Sequence, residues 1–266
     1  MAMENLVCRT DAIFHRWEGV VETHPTHWVI RTPHNPRFWF GNYVLFRRAP
    51  QGGDLADWLA VHRDAFGTRL NHVTLGWDEP VPGATAQFVE AGFKASHGVS
   101  FSISGYSAGA KINPRLTVRA LRTTAEWEAM VEQHKQVDRD DFGYPVDDSG
   151  FRTRQLVSAR RMAEAGRGDW WGAYLAETLV GGMGLFYDER GTTGRFQYVT
   201  TSPAHRRQRV CTTLLDHVVR HAFETVRPGV LVISTGADEG NPALNVYQGF
   251  GFKEAMRSYA FTRLTA

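Results

Sequence analysis

With 266 residues, 42% of them hydrophobic and 22% charged, the chain can bury two modest cores or one large one, and it lacks the composition of a disordered segment. Its net charge of +2 neither demands nor forbids a polyanion, and no nucleic-acid partner is expected. The two cysteines, Cys8 and Cys211, stand too far apart for a CxxC motif and make a disulfide framework unexpected.

No apolar run approaches the length that crosses a bilayer, so no membrane partner is expected. Residues 1–11 carry charges and lack the apolar core of a secretion signal, which makes the cytoplasm the expected location. In chain order, strand-like segments at 27–31 and 43–46 precede a helix at 54–65. A strand at 72–75, a short helix at 84–90 and a strand near 99–103 follow. Residues 105–114 (GYSAGAKINP) read as a linker, small and polar and closed by Pro114, which disfavours helix before it. The expected domains are therefore 1–109 and 110–266.

In the second part, 116–121 alternates like a strand. Thr123 or Thr124 then offers an N-cap to a helix carrying Trp127, Met130 and Val131. A polar, acidic loop is expected at 138–150, and a helix at 151–165 ends at Gly166. Strands at 170–176 and 179–187 lead through a turn-rich loop, 188–194, into a strand at 195–201. After Pro203, Val210, Leu214, Val218 and Ala222 recur every four residues along one helix face. A buried strand at 230–234, a short helix at 242–248 and a last strand to about 264 complete the order.

The N-terminal part repeats the back half of this order. In one gapless frame Ala84, Gly92, Phe93 and Lys94 fall on Ala243, Gly251, Phe252 and Lys253, which favours an internal duplication. The fold class expected is α/β of the α+β type: two mixed, mostly antiparallel sheets flanked by helices.

Three features of the second part carry chemistry. The stretch 201–213 (TSPAHRRQRVCTT) joins a strand to a helix, whose start exposes unpaired N–H groups and partial positive charge. His205, Arg206, Arg207 and Arg209 add charge there and Thr212 a hydroxyl, which suits a pyrophosphate. The second is 241–252 (NPALNVYQGFGF), where Tyr247 sits at the end of a short helix as a proton donor for a leaving thiolate. The third is the strand 195–201, along which an extended ligand could run from phosphate site to phenol. A lone tyrosine of this kind is more often a core residue, so the three count together. The 11 histidines show no metal spacing, and GxSxG, HExxH, GxGxxG and Walker patterns are absent.

The order V-x-T-x-P-x-x-R-R-Q-x-V-x-x-x-L-L, then a strand, then N-x-A-x-x-x-Y-x-x-x-G-F resembles the GNAT superfamily of N-acetyltransferases. The resemblance implies that acetyl-CoA is the cofactor and that an acyl group passes directly to an amine, on a small molecule or a peptide. It implies that Val199 and Thr201 pair with the pantetheine arm, and that Arg206, Arg207, Gln208, Arg209, Val210, Cys211 and Thr212 cradle the pyrophosphate. Asn241 would contact the cofactor, and Tyr247 would serve as general acid beside it. The family pattern has glycine where Arg209 stands, and glycine or alanine where Cys211 stands. The rival expectation is a non-catalytic CoA-binding or regulatory module. The first half resembles a degenerate GNAT domain: its loop at 47–54 is short, and Phe88 falls where Tyr247 stands.

Overall fold

The computed structural model describes residues 2–142 and 150–265. They form α1 (Leu6–Glu18), β1 (Val20–Thr23), β2 (His27–Arg31), β3 (Tyr43–Phe46), α2 (Leu55–Phe66), β4 (His72–Trp77), α3 (Ala86–Glu90) and β5 (Lys94–Ile103). These are followed by β6 (Leu116–Ala120), α4 (Thr124–Phe142), α5 (Phe151–Glu164), β7 (Gly168–Leu175), β8 (Thr178–Tyr187) and β9 (Thr193–Thr201). The order ends with α6 (Val210–His221), β10 (Val230–Gly236), α7 (Pro242–Phe250) and β11 (Lys253–Leu264). One compact unit comprises Met1–Ser100, Ser234–Asn241 and Glu254–Ala266, and the other comprises Phe101–Ile233 and Pro242–Lys253. The expected linker, 105–114, falls inside the second unit.

In the first unit β1, β2 and β3 pair antiparallel, β3 runs parallel to β4, and β4 pairs antiparallel with β11 from Trp77↔Tyr259 to His72↔Leu264. Helix α2 is the crossover between the two parallel strands. Strand alternation divides the core by face. Trp28, Ile30, Tyr43 and Leu45 pack with Cys8 and Ala12 of α1, while Val29, Val44 and Phe46 pack with Trp58 and Phe66 of α2. Helix α1 and strand β1 were not expected from the sequence.

The second unit repeats this pattern. Strands β7, β8 and β9 pair antiparallel, and β9 runs parallel to β10 through the crossover α6. Strand β6 adds antiparallel to β7. Val210, Leu214, Val218 and Ala222 are all buried, as their spacing predicts. Two adjacent glycines let helices close in on both faces of β8. A Cβ on Gly181 would lie 2.6 Å from Val210 of α6, and one on Gly182 would strike Met130 of α4. Helix α4 starts on a capping box, in which Thr123 N–H donates to Glu126 Oε2 (2.8 Å) and Glu126 N–H to Thr123 Oγ1 (3.3 Å).

A further segment differs from expectation. Helix α4 runs on to Phe142, so Asp138, Asp140 and Asp141 are helical where a loop was expected; Asp147 and Asp148 lie outside the described residues. The reason is burial, since Trp127, Met130, His134 and Val137 carry one buried face right up to the acidic cluster.

The duplication also reappears at the level of hydrogen bonds. In the first unit Gly92 N–H donates to Val89 O (2.9 Å) and Phe93 N–H to Phe88 O (3.0 Å); in the second, Gly251 N–H donates to Gln248 O (3.0 Å) and Phe252 N–H to Tyr247 O (3.0 Å). Both glycines have positive φ, +83° and +113°, which ends each helix in the conformation glycine adopts at least cost.

Candidate active site

Strand β9 is irregular where the expected site begins. Opposite β8 its register runs from Gly182↔Thr200 to Gly184↔Gln197, two steps on β8 against three on β9. The extra residue is a β-bulge at Tyr198–Val199, and Tyr198 takes φ +39°, a conformation costly for a residue with a side chain. On its other side β9 is in register with β10 only from Thr193↔Val230 to Arg195↔Val232. Its remaining residues, including Val199 and Thr201, continue beyond that pairing, and both are half-buried.

Beyond β9 the chain turns through Ser202–Arg209 into α6. Arg206, Arg207, Gln208 and Arg209 are exposed. Arg207 and Arg209 both have left-handed backbone, φ +59° and +60°. Arg209 is the N-cap of α6, makes no side-chain capping bond, and no acidic residue occupies the first turn. The N–H groups of Val210, Cys211 and Thr212 therefore start a helix whose own geometry gives them no carbonyl partner. The loop is pinned from the expected linker, where Asn113 Nδ2 donates to Gln208 O (3.0 Å) and Asn113 N–H to Thr213 Oγ1 (2.9 Å). Arg206 is partly engaged, since its Nη2 donates to both oxygens of Asp141 at 2.7 Å.

The left-handed N-cap gives a physical reason for a glycine at this position. A side chain there costs about 1–2 kcal/mol, and glycine's own entropy returns about half of it. Arg209→Gly is expected to stabilise the chain by about 0.5–1 kcal/mol in urea unfolding. Arg209→Ala, which keeps a Cβ, gives no such gain. Equal midpoints for the two variants would contradict the strain.

Tyr247 lies on α7 and is 4% exposed. Its ring meets Phe101 edge-on at 6.1 Å and Phe252 at 6.3 Å. Burial raises its pKa well above the usual phenol value; Cys211 adds to the rise and Arg195 opposes it. The group is therefore a protonated phenol throughout the neutral range. Burial likewise pushes the Cys211 thiol up to about 12, so it is no thiolate nucleophile. Asn241 lies in the other unit, where its Nδ2 donates to Thr235 Oγ1 (2.9 Å) and Gly236 O (2.7 Å), tying the loop that follows β10.

Sequence reasoning missed a buried cluster beneath the bulge. Arg152 of α5 forks onto Asp138 of α4, both bonds 2.6 Å, and its guanidinium lies 4.0 Å over the Tyr198 ring. His134, 1% exposed, sits 5.5 Å from both Tyr198 and Trp170, and neither ring nitrogen has a hydrogen-bond partner. Burial, then the Arg152 charge, lowers its pKa to about 3, so it is neutral. Gln133 accepts from Thr200 Oγ1 (3.0 Å) and donates to Ser202 Oγ (2.9 Å), clamping α4 to the end of β9.

Residues 131–252 match the acetyltransferase (GNAT) family. No curated protein sequence matches the chain. Among solved structures, a functionally unknown conserved protein from Staphylococcus epidermidis aligns at TM-score 0.73 and 12% identity, over 94% of this chain and 95% of its own. A GCN5-related N-acetyltransferase from Kribbella flavida aligns at 0.63 and 14%, over 98% and 96%. A tandem GNAT protein from the clavulanic acid biosynthesis pathway aligns at 0.57 and 12%, over 94% and 84%. At such identities the likeness is one of fold, and in these three it extends over nearly all of this chain. Residues 131–252 thus match the acetyltransferase (GNAT) family, and the fold, that of the N-terminal half included, is GNAT-like.

Proposed function

We propose that the chain is an acyl-CoA-dependent N-acyltransferase, acetyl by default, acting on an amine of a small molecule or peptide in the cytoplasm. The observation that carries this reading is β9, which outruns its pairing with β10 and leads, one short turn later, into an uncapped helix start ringed by arginines. That arrangement fits an extended ligand with a pyrophosphate at one end. Among the described residues, no helix is long and apolar enough to cross a membrane. Residues 1–109 belong, on this reading, to the degenerate half, with Phe88 in place of a phenol.

Bound acyl-CoA would supply an activated thioester. For the chain's own part, the N–H groups of Val210, Cys211 and Thr212, with Arg206, Arg207, Gln208 and Arg209, would hold the pyrophosphate. Backbone groups of Val199 and Thr201 would align the pantetheine arm, with Asn241 as a further contact to the cofactor. The Val199 N–H, beside the bulge, would donate to the carbonyl oxygen as negative charge grows there. The acceptor must arrive as a neutral amine, since an ammonium has no lone pair, and a base or water chain takes its proton. Asp138 and Asp141, two carboxylates of the expected acidic segment, are already ion-paired. Tyr247 would be the residue placed to give its proton to a departing thiolate.

Isothermal titration with CoA is expected to give one site per chain, because only the C-terminal half joins a basic helix start to a tyrosine. The triple variant Arg206→Gln, Arg207→Gln, Arg209→Gln should abolish most of the affinity. Two equivalent sites, or binding indifferent to those arginines, would refute the assignment. A second reading, a binding module without turnover, is favoured by the strained Arg209 alone. A screen of amines and peptides by thiol release separates the two.

A further inference from the structure

The first unit contains a cavity of about 650 Å³ that the proposed transfer does not use. It opens where α2 ends and β4 begins, whereas the degenerate loop at 47–54 lies before α2 starts. Twelve residues of helix separate the two places, or roughly 18 Å. The volume is within the range of small-molecule sites, about 300–1,000 Å³.

Its walls are chemically one-sided. Arg63, Arg69 and Arg263 contribute full positive charges, His62 and His72 contribute imidazoles, and none of the lining residues is acidic. Arg69 spends its Nε–H on Phe66 O (3.3 Å), and Arg263 one Nη1–H on Ala91 O (2.8 Å). Each guanidinium has five N–H donors, so most are not consumed by these bonds. His72 Nε2–H donates to Asn42 O at 3.1 Å, which fixes its neutral tautomer. His62 is the unexplained group: it is 4% exposed, lines the cavity, and its Nε2 has no hydrogen-bond partner. A buried polar atom left so is costly, and a ligand accepting or donating there would remove that cost. Leu59, Leu70 and Val73 supply the apolar wall.

The geometry points to a second ligand site at this cavity, for a small amphipathic anion: a phosphate or carboxylate on an aromatic or aliphatic body. The arginines meet the anionic head, His62 Nε2 completes its polar contacts, and the leucines cover the body. The site stands independently of acyl transfer in the other unit.

Phenyl phosphate is a suitable probe, with the His62 imidazole read by long-range ¹H–¹⁵N correlation in the full chain. We expect a saturable shift of that ring, retained with CoA at saturation, which separates this site from the basic loop before α6. Benzyl alcohol, with the same ring and no charge, leaves it unmoved. Arg63→Gln with Arg69→Gln weakens phenyl phosphate about tenfold, the scale of one charged hydrogen bond. Arg63→Gln alone, at an exposed position, gives a smaller loss in the same direction. An unmoved His62 ring, an equal response to benzyl alcohol, or unchanged affinity in both variants overturns the proposal.

Discussion

Tyr247→Phe is expected to lower turnover about a hundredfold while leaving CoA affinity nearly unchanged. The substitution removes one hydroxyl and keeps the ring between Phe101 and Phe252. The fold already shows the turn accepts phenylalanine, because Phe88 sits in the same hydrogen-bonded arrangement in the first unit. A thiolate with a reference pKa near 8.5 leaves without obligatory help, so the loss belongs at the lower end of the 10²–10⁴ scale of general-acid effects. Burial holds the phenol protonated, so the wild-type rate should not fall with its deprotonation anywhere below pH 10. Single-turnover rates beside CoA titration make the distinction, once a thiol-release screen has found an acceptor. A variant as fast as wild type would remove Tyr247 from the acid's role and leave the match of residues 131–252 to the family untouched.

Arg152→Ala should destabilise the protein by about 3–5 kcal/mol, the scale of breaking a buried ion pair from one side. Its side chain is 5% exposed and that of Asp138 13%, so the orphaned carboxylate stays largely out of water. The loss of the stack on Tyr198 adds to this and loosens the bulge. Urea midpoints are best compared near pH 8. There His134 is neutral in both the folded chain, with its pKa near 3, and the unfolded chain, near 6.5, so its titration adds nothing. Replacing both partners with apolar residues should recover most of the loss. A cost below about 1 kcal/mol would mean that water screens the pair, as it does at a surface.

Much of the fold was legible because local pattern and tertiary burial agree. Val210 to Ala222 reads as a helix face and is one, and β2 and β3 keep the bounds their β-branched and aromatic residues suggest. Asp138, Asp140 and Asp141 misled because acidic residues resemble a loop locally, while the decisive burial of His134 and Val137 comes from distant strands. Helix α1 was missed because its buried positions include Thr10 and His15, which carry no apolar signal. The arginine loop and Tyr247 were visible as chemistry. The bulge was not, since Tyr198 has no glycine to advertise its positive φ, nor was the Arg152–Asp138 pair, fourteen residues apart on two helices.

Strand β11 carries Phe261 into the core of the first unit and covers β4 along its whole length. On the ribosome, that unit begins with residue 1 yet waits for Glu254–Ala266 before its sheet is whole. About 150 residues separate Ser100 from that segment, which at ~5–20 residues per second is roughly 8–30 s of synthesis. During that interval the free edge of β4 exposes backbone N–H and C=O groups able to recruit any passing strand. The half made first is thus the last to close.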